Sequence, residues 1–268
     1  SDRATLLDAR LILLWGMNPA ETRMGPNTEH FIAGARERGA HVVLVDPRLS
    51  DSGALADEWL PIRPGTDAAL IASMAYVLET EGLVDHAFMA EHTRGYAAYR
   101  SYALGESNGQ PKTPVWAAAI TGAPPERIAA LARRYGRAHP AAVLPGWGPQ
   151  RSLYGEQVAR AVITLACLGG NIGVAGGGLA SIDTRGNLIP LGTLPSGPHG
   201  IARLIAPGQW AQAVLDPDRL PPLKMAYIVA SNLVNRSPDA RRNAQALASL
   251  DEVVVHEPYL TPTARLAD

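Results

Sequence analysis

Four short segments hold most of the residues that could bind or transform a ligand. They are Gly16-Met17-Asn18-Pro19-Ala20-Glu21-Thr22, Asp46-Pro47-Arg48, Arg63-Pro64-Gly65-Thr66-Asp67 and Gly146-Trp147-Gly148-Pro149-Gln150-Arg151. Each mixes glycine or proline with an acid, an amide or an arginine. Glycine lets a backbone approach a ligand closely, and free amides at a helix start suit anionic oxygens. Arg48, Arg63 and Arg151 could meet phosphates in bidentate fashion. Asp46, after a second strand, is placed for ribose hydroxyls. Asp67 and Glu21 are acceptor-only groups able to take the adjacent N–H donors of a guanine edge. Any one of these segments alone reads as an ordinary loop, because Gly, Pro, Asn and Asp end strands everywhere. Four of them together point to one ligand crevice.

Other chemistries find no support. There is no G-x-G-x-x-G and no G-x-x-x-x-G-K-[ST], so neither a dinucleotide fingerprint nor a P-loop is present. His86 and His92 lack the spacing of a helical metal pair and read as surface residues. Ser196 and His199 share a Gly/Pro loop without an acid partner or a nucleophile elbow. Cys167, the single cysteine, sits in an apolar run and reads as a core residue. One cysteine excludes a disulfide framework and an iron–sulfur cluster held by this chain alone. Trp15, Trp59, Trp116 and Trp210 read as core or interface residues, and only Trp147 stands between glycines where a ligand could meet it.

The elements that must position these loops follow from periodicity. Leu11 to Trp15, Val42 to Val45, Trp59 to Ile62 and Ala142 to Leu144 are short apolar runs, as expected of buried parallel strands. Asn18-Pro19 reads as a turn with Asn as a cap candidate. A helix is expected from Thr28 to Glu37, ending at Gly39. Another opens at Thr66 or Asp67 with Leu70, Met74 and Val77 on one face. Thr113-Pro114 and Pro124-Pro125-Glu126 open two more, and Tyr154 to Leu168 is a further helix. From Gly169 the chain is rich in glycine, then irregular to about Pro222. A last β–α–β unit is expected from strand Ala226–Ala230, helix Pro238–Leu250 and strand Glu252–Val255. It is too small to bury a core by itself. The fold class is therefore α/β: a Rossmann-like parallel sheet layered with helices over 1–175, then part of a second α/β domain over 176–268.

Composition agrees with a packed protein: hydrophobic residues are 47%, charged residues 18%, and the formal net charge is -1. No basic field exists to hold nucleic acid or anionic lipid, so an anion must be gripped locally. No apolar run is long enough to span a bilayer, and Ser1-Asp2-Arg3-Ala4-Thr5 does not open a signal peptide.

Leu14-Trp15-Gly16-Met17-Asn18-Pro19-Ala20-Glu21-Thr22-Arg23 resembles the G-x-N-P-A-E-T segment of molybdopterin oxidoreductases of the dimethyl sulfoxide reductase family. The likeness continues in register through Val45-Asp46-Pro47-Arg48 and through Asp57-Glu58-Trp59-Leu60-Pro61-Ile62-Arg63-Pro64-Gly65-Thr66-Asp67-Ala68-Ala69-Leu70. It extends through Lys112-Thr113-Pro114 with Trp116, Ile120-Thr121-Gly122, Gly146-Trp147-Gly148-Pro149-Gln150-Arg151 and Gly169-Gly170-Asn171-Ile172-Gly173. It is weakest between about Gly178 and Pro222.

The resemblance implies that the strand-end loops hold bis(molybdopterin guanine dinucleotide) with its molybdenum. By position, Asn18, Glu21, Thr22, Asp46, Arg48, Gly65, Asp67, Gly146, Trp147, Gln150 and Arg151 would carry that binding. Asn232, His256 and Glu257 would add contacts from the second domain. The chain departs from the family's acid-containing D-x-x-x-T-x-T-A loop, having His256-Glu257-Pro258-Tyr259-Leu260-Thr261 instead. The resemblance also implies an iron–sulfur segment and a molybdenum-ligating serine upstream of this region, and a barrel-like domain downstream. The expected function is thus a cofactor-binding fragment of an S-oxide or N-oxide reductase, without redox activity alone. In the whole enzyme an iron–sulfur electron-transfer subunit and a membrane-anchor subunit are implied as partners, at the periplasmic face of the membrane. The isolated piece could self-associate. The alternative is a non-catalytic nucleotide-binding α/β module; an ordinary NAD-linked dehydrogenase fails for want of its glycine fingerprint.

Overall fold

The computed structural model describes residues 3–22, 27–179, 205–216, 218 and 223–268. Ser196, His199 and most of the Gly/Pro-rich stretch lie outside those residues. The chain divides into two compact units, Ser1–Leu191 and Gly192–Asp268.

The first unit is built on a five-stranded sheet in the order β3-β2-β1-β4-β5. Its strands are β1 (Leu11–Trp15), β2 (His41–Val45), β3 (Glu58–Leu60), β4 (Ala141–Pro145) and β5 (Gly178–Leu179). Every pairing is parallel, with Leu11 opposite both His41 and Ala141 at the centre. The sequence dictates this: β1 reads Leu-Ile-Leu-Leu-Trp and every residue of it is buried. A strand apolar on both faces must be covered on both. Alternate residues indeed serve two cores. Leu11, Leu13, Trp15, Val43 and Val45 pack towards helices α2 (Asp67–Thr80), α6 (Pro125–Arg137) and α7 (Glu156–Leu168). Ile12, Leu14, Val42 and Leu44 pack with Ile32 and Ala35 of α1 (Thr28–Glu37).

Three expectations need correction. Helix α2 is not one-faced: Leu70, Ile71, Ala72, Ser73, Met74 and Ala75 are all buried, because α6, α7, α4 (Tyr96–Leu104) and α5 (Pro114–Thr121) all pack around it. Helix α7 begins at Glu156, two residues beyond the approximate start at Tyr154, whose φ of 57° is left-handed and incompatible with a helix interior. Residues Gly178–Leu179, placed by sequence in a second domain, hydrogen-bond into the first sheet beside β4. The glycine-rich run after α7 returns the chain to the sheet edge. Buried Asn171 anchors it by accepting the Ala141 N–H at 2.8 Å. The polar stretch containing His86 and His92 forms helix α3 (His86–His92).

Helix ends follow local chemistry. Gly39, at φ 95°, closes α1 as expected. Asn18 caps no helix; its carbonyl accepts the Glu21 and Thr22 N–H groups in a turn. Thr66 precedes α2, but its hydroxyl donates to the Arg63 carbonyl instead of accepting from the helix.

The second unit contains α8 (Trp210–Leu215), β6 (Met225–Val229), α9 (Leu233–Arg236), α10 (Ala240–Ala248) and β7 (Glu252–His256). Strands β6 and β7 pair in parallel. One face of this sheet packs Ile228 and Val253 against Val234 and Leu247.

Candidate functional site

In an open parallel sheet the ligand crevice lies outside the carboxyl ends of the strands, where the chain order reverses. Here that point is between β1 and β4, and the four chemistry-bearing loops all leave the same sheet edge. A cleft of about 370 Å³ opens there, lined by Gly16, Asp46, Pro47, Ile62, Arg63, Pro64, Gly65, Asp67, Gly148, Pro149, Arg151 and Ser152. One or more residues come from each loop. A second cleft of about 280 Å³ adjoins it across Pro149 and is mainly apolar, with Trp15, Gly146, Trp147, Gln150, Val158, Val162, Ile163 and Leu179 on its walls.

The rim is held by close backbone packing. The Gly146 N–H donates to the Trp15 carbonyl at 2.8 Å, and the Gly16 N–H to the Val45 carbonyl at 2.8 Å. A Cβ on Gly146 would collide with the Gly16 carbonyl oxygen, and one on Gly16 with the Pro149 ring. Glycine is required at both, the second also for its φ of 56°.

Asp67 is the principal polar group inside the cleft. It is 5% exposed, and its Oδ1 accepts the indole N–H of fully buried Trp15 at 2.8 Å. Burial holds its carboxyl above the ordinary 3.8. The Trp15 bond and its own backbone N–H pull the other way, and the Asp46 carboxylate adds repulsion. Among the described residues no cation bonds to it, although Arg63 and Arg151 line the same cleft, so the carboxylate is suited to donors brought by a ligand. Asp46 turns one oxygen back to the Arg48 N–H at 2.9 Å. Gly65, at φ 76°, faces only Ser152 where a side chain would stand, which leaves an open backbone shoulder.

The arginines divide. Arg63, expected at a phosphate, spends Nη1 on the carbonyls of Ala119 and Ile120 at 3.0 and 3.1 Å, neutralising the C-terminal end of α5. Arg48 pairs with Glu21 at 3.0 Å. Arg151 is exposed on the cleft lining, its guanidinium 5.9 Å from the Trp147 ring centroid. It is the cation of the three with least internal commitment.

Asn18, Glu21 and Arg48 do not line that cleft and bond one another, and Thr22 joins them through its backbone N–H to the Asn18 carbonyl. Asn18 Nδ2 and Arg48 Nη2 both donate to Glu21 Oε2, at 2.7 and 3.0 Å. Ser52, fully buried, donates to Asn18 Oδ1 at 2.6 Å and accepts the Ala20 N–H at 3.1 Å. These bonds tie the loop after β1 to the loop after β2. Nothing in the sequence marks Ser52, and Trp15 reads there as a core or interface residue. A buried indole N–H needs an acceptor, and an acid opposite the end of its strand was the available signal.

In the second unit the loop residues are engaged locally. Asn232 Oδ1 accepts the Thr263 hydroxyl at 2.7 Å, and that hydroxyl accepts the Val234 N–H at 3.0 Å. His256 Nε2 meets the Tyr227 hydroxyl at 2.8 Å on the exposed face of the sheet. Glu257 follows directly, half-buried.

Among the described residues no cluster of His, Cys, Asp and Glu could hold a metal ion. Cys167 is half-buried, and burial raises its thiol pKa. No helix among the described residues is long and apolar enough to cross a membrane.

The family model for molybdopterin oxidoreductase matches residues 2–268. The dimethyl sulfoxide reductase DmsA of Escherichia coli (strain K12) is 37% identical over 97% of this chain and 36% of its own length. The trimethylamine-N-oxide reductase of Haemophilus influenzae is 31% identical over 96% of this chain and 35% of its own length. This chain therefore spans about a third of the curated relatives it matches. Among solved structures, the acetylene hydratase of Pelobacter acetylenicus superposes with a TM-score of 0.69 over 99% of this chain and 42% of its own, at 20% identity. At that identity the likeness carries the fold alone. The family model and the sequence relatives carry more: this chain belongs to the molybdopterin oxidoreductase family.

Proposed function

We propose that this chain is the nucleotide-gripping part of a molybdenum-dependent reductase acting on S-oxides or N-oxides. It would hold molybdopterin in its guanine dinucleotide form. The single observation that carries this is the meeting of four strand-end loops at one cleft containing a buried carboxylate that no cation among the described residues bonds. A guanine edge brings two adjacent N–H donors, which such a carboxylate needs. Asp46 would take ribose hydroxyls. Arg151 and the open backbone at Gly65 would face phosphate oxygens, and Asn18, Glu21, Thr22 and Arg48 would add contacts at the rim, where the Ser52–Asn18 bond ties their loops together. Gly146, Trp147 and Gln150 would contact the ligand along the adjoining apolar cleft.

Molybdenum supplies the oxygen-atom chemistry when bound, and the protein's share is binding, orientation and electrostatics. Iron–sulfur centres, partner subunits for electron delivery and membrane attachment, and a periplasmic setting belong to the same proposal for the whole protein. The names of the relatives support the substrate class.

The test is calorimetric titration of the 268-residue chain with GDP and with ADP. GDP should bind more tightly, and Asp67→Ala should abolish the preference. Equal affinity for the two nucleotides, or an unchanged preference in Asp67→Ala, would overturn the reading. Reduction of dimethyl sulfoxide by this chain with a reduced dye would refute its dependence on other parts of the protein.

A further inference from the structure

Trp15 lies at the end of the central strand, is fully buried, and lines the apolar cleft while donating into the polar one. Its indole N–H donates to Asp67 Oδ1 at 2.8 Å, across 52 positions of sequence. Asp67 is the first residue of α2 and has a short side chain with two torsions. Fixing Oδ1 from behind therefore fixes the plane of the carboxylate, and with it the direction in which Oδ2 is offered. We propose that Trp15 is a positioning residue that aims the Asp67 carboxylate and so sets the choice of guanine over adenine in this cleft. This rests on the reading of the cleft as a nucleotide site.

Two physical consequences follow. A bond from an N–H to a charged acceptor is stronger than one to a neutral acceptor and is directional. Losing it frees the carboxylate to rotate, which costs recognition of a two-donor edge and leaves contacts to ribose and phosphate alone. The indole N–H also favours the ionised form of Asp67, against burial and against Asp46. The other charged groups on the cleft are Arg63, with Nη1 held by α5, and exposed Arg151. Neither replaces the indole, so without Trp15 the carboxyl should protonate at higher pH.

The experiment compares the unmodified chain with Trp15→Phe, which keeps an aromatic ring and removes the donor. The readout is the ratio of GDP to ADP affinity across pH, in which the titration of the phosphates cancels. In the unmodified chain the ratio should be high at neutral pH and fall as acid protonates Asp67. In Trp15→Phe it should drop about tenfold, one hydrogen bond's worth, with ADP affinity unchanged and the midpoint of the remaining fall moved to higher pH. A Trp15→Phe chain with the same ratio and midpoint as the unmodified one overturns this inference and leaves the nucleotide reading standing. No GDP preference in the unmodified chain overturns the nucleotide reading itself, and this inference with it. Should Trp15→Phe fail to fold, the ¹⁵N-labelled indole N–H resonance of Trp15 in the unmodified chain gives the answer. It should titrate with the midpoint of the affinity ratio; a resonance that stays flat through that range overturns the inference.

Discussion

The two parallel sheets of this chain are built to different standards of burial. In the first, β1 and β4 lie between two cores, and Leu11 to Leu14 are 0% exposed. In the second, β6 alternates: Ile228 is 6% exposed, while Met225, Tyr227 and Val229 are 48%, 57% and 59% exposed. A parallel sheet normally has both faces covered. The first sheet satisfies that within its own unit, and the second satisfies it on one face. The loops that gather at the cleft all rise from the sheet whose central strands are covered on both faces. A crevice whose walls must hold within tenths of an ångström is placed on the stiffer of two frames, as sites built on rigid elements require.

The largest expected effect lies where the stiff frame is tightest. Gly146→Ala places a methyl against the Gly16 carbonyl oxygen and 2.8 Å from the Met17 Cα. Both are backbone atoms of the central strand's exit, and neither can swing away. We expect a loss of about 3 kcal/mol of stability by denaturant titration, together with loss of GDP binding. A variant as stable as the parent would mean that the rim is softer than its packing indicates.

A matched pair of substitutions sharpens the comparison further. Val43, 0% exposed in β2, and Val229, 59% exposed in β6, are the same residue in the same kind of strand. Val43→Thr buries a hydroxyl among aliphatic side chains, at a cost of about 2 kcal/mol. Val229→Thr leaves its hydroxyl in water, and its effect should stay within about 0.5 kcal/mol. Equal losses at the two positions would remove the distinction between the sheets. Hydrogen exchange offers the same contrast without mutation: amides of β1 and β4 should outlast those of β6 and β7.

The difference between the sheets also governs what the sequence disclosed. Buried strands such as Leu11–Trp15 are continuous apolar runs closed by glycine or proline, so their bounds and the loops after them could be read directly. The convergence of Asp46, Gly65, Asp67 and Arg151 then followed from the rule that such loops share an edge. The commitments of individual side chains were not legible. Nothing in Arg63-Pro64-Gly65 says that its guanidinium caps α5, because α5 lies more than fifty residues downstream. Nothing local to Trp15 says that its indole donates to Asp67. Glu21 and Arg48 each read as ligand-facing, yet their charges meet one another. Pairings between distant loops are fixed by tertiary packing, which periodicity does not encode.

Ion pairs give the smallest and last separation of the two units. In the first, Glu58 of β3 receives Arg134 at 2.6 Å and Arg127 at 3.0 Å. Burial works against its ionisation, but the two guanidinium hydrogen bonds outweigh it and hold the carboxyl below its ordinary 4.5. A carboxyl depressed in the fold stabilises fully above its unfolded value, and that stability is lost as pH falls through the folded value. Glu58→Gln should therefore cost about 1 kcal/mol at neutral pH, allowing for solvent screening of the half-exposed arginines, and the difference from the parent should vanish in acid. In the second unit Lys224 meets Asp251 at 2.7 Å with side chains 76% and 65% exposed. Water and salt screen such a pair, so Lys224→Ala should leave stability unchanged at every pH. The decisive measurement is the unfolding midpoint of both variants from neutral pH down to pH about 3, a range that brackets ordinary carboxylate values. A Lys224→Ala loss as large as that of Glu58→Gln would show that exposure does not distinguish the two units electrostatically, and the contrast would then rest on apolar burial alone.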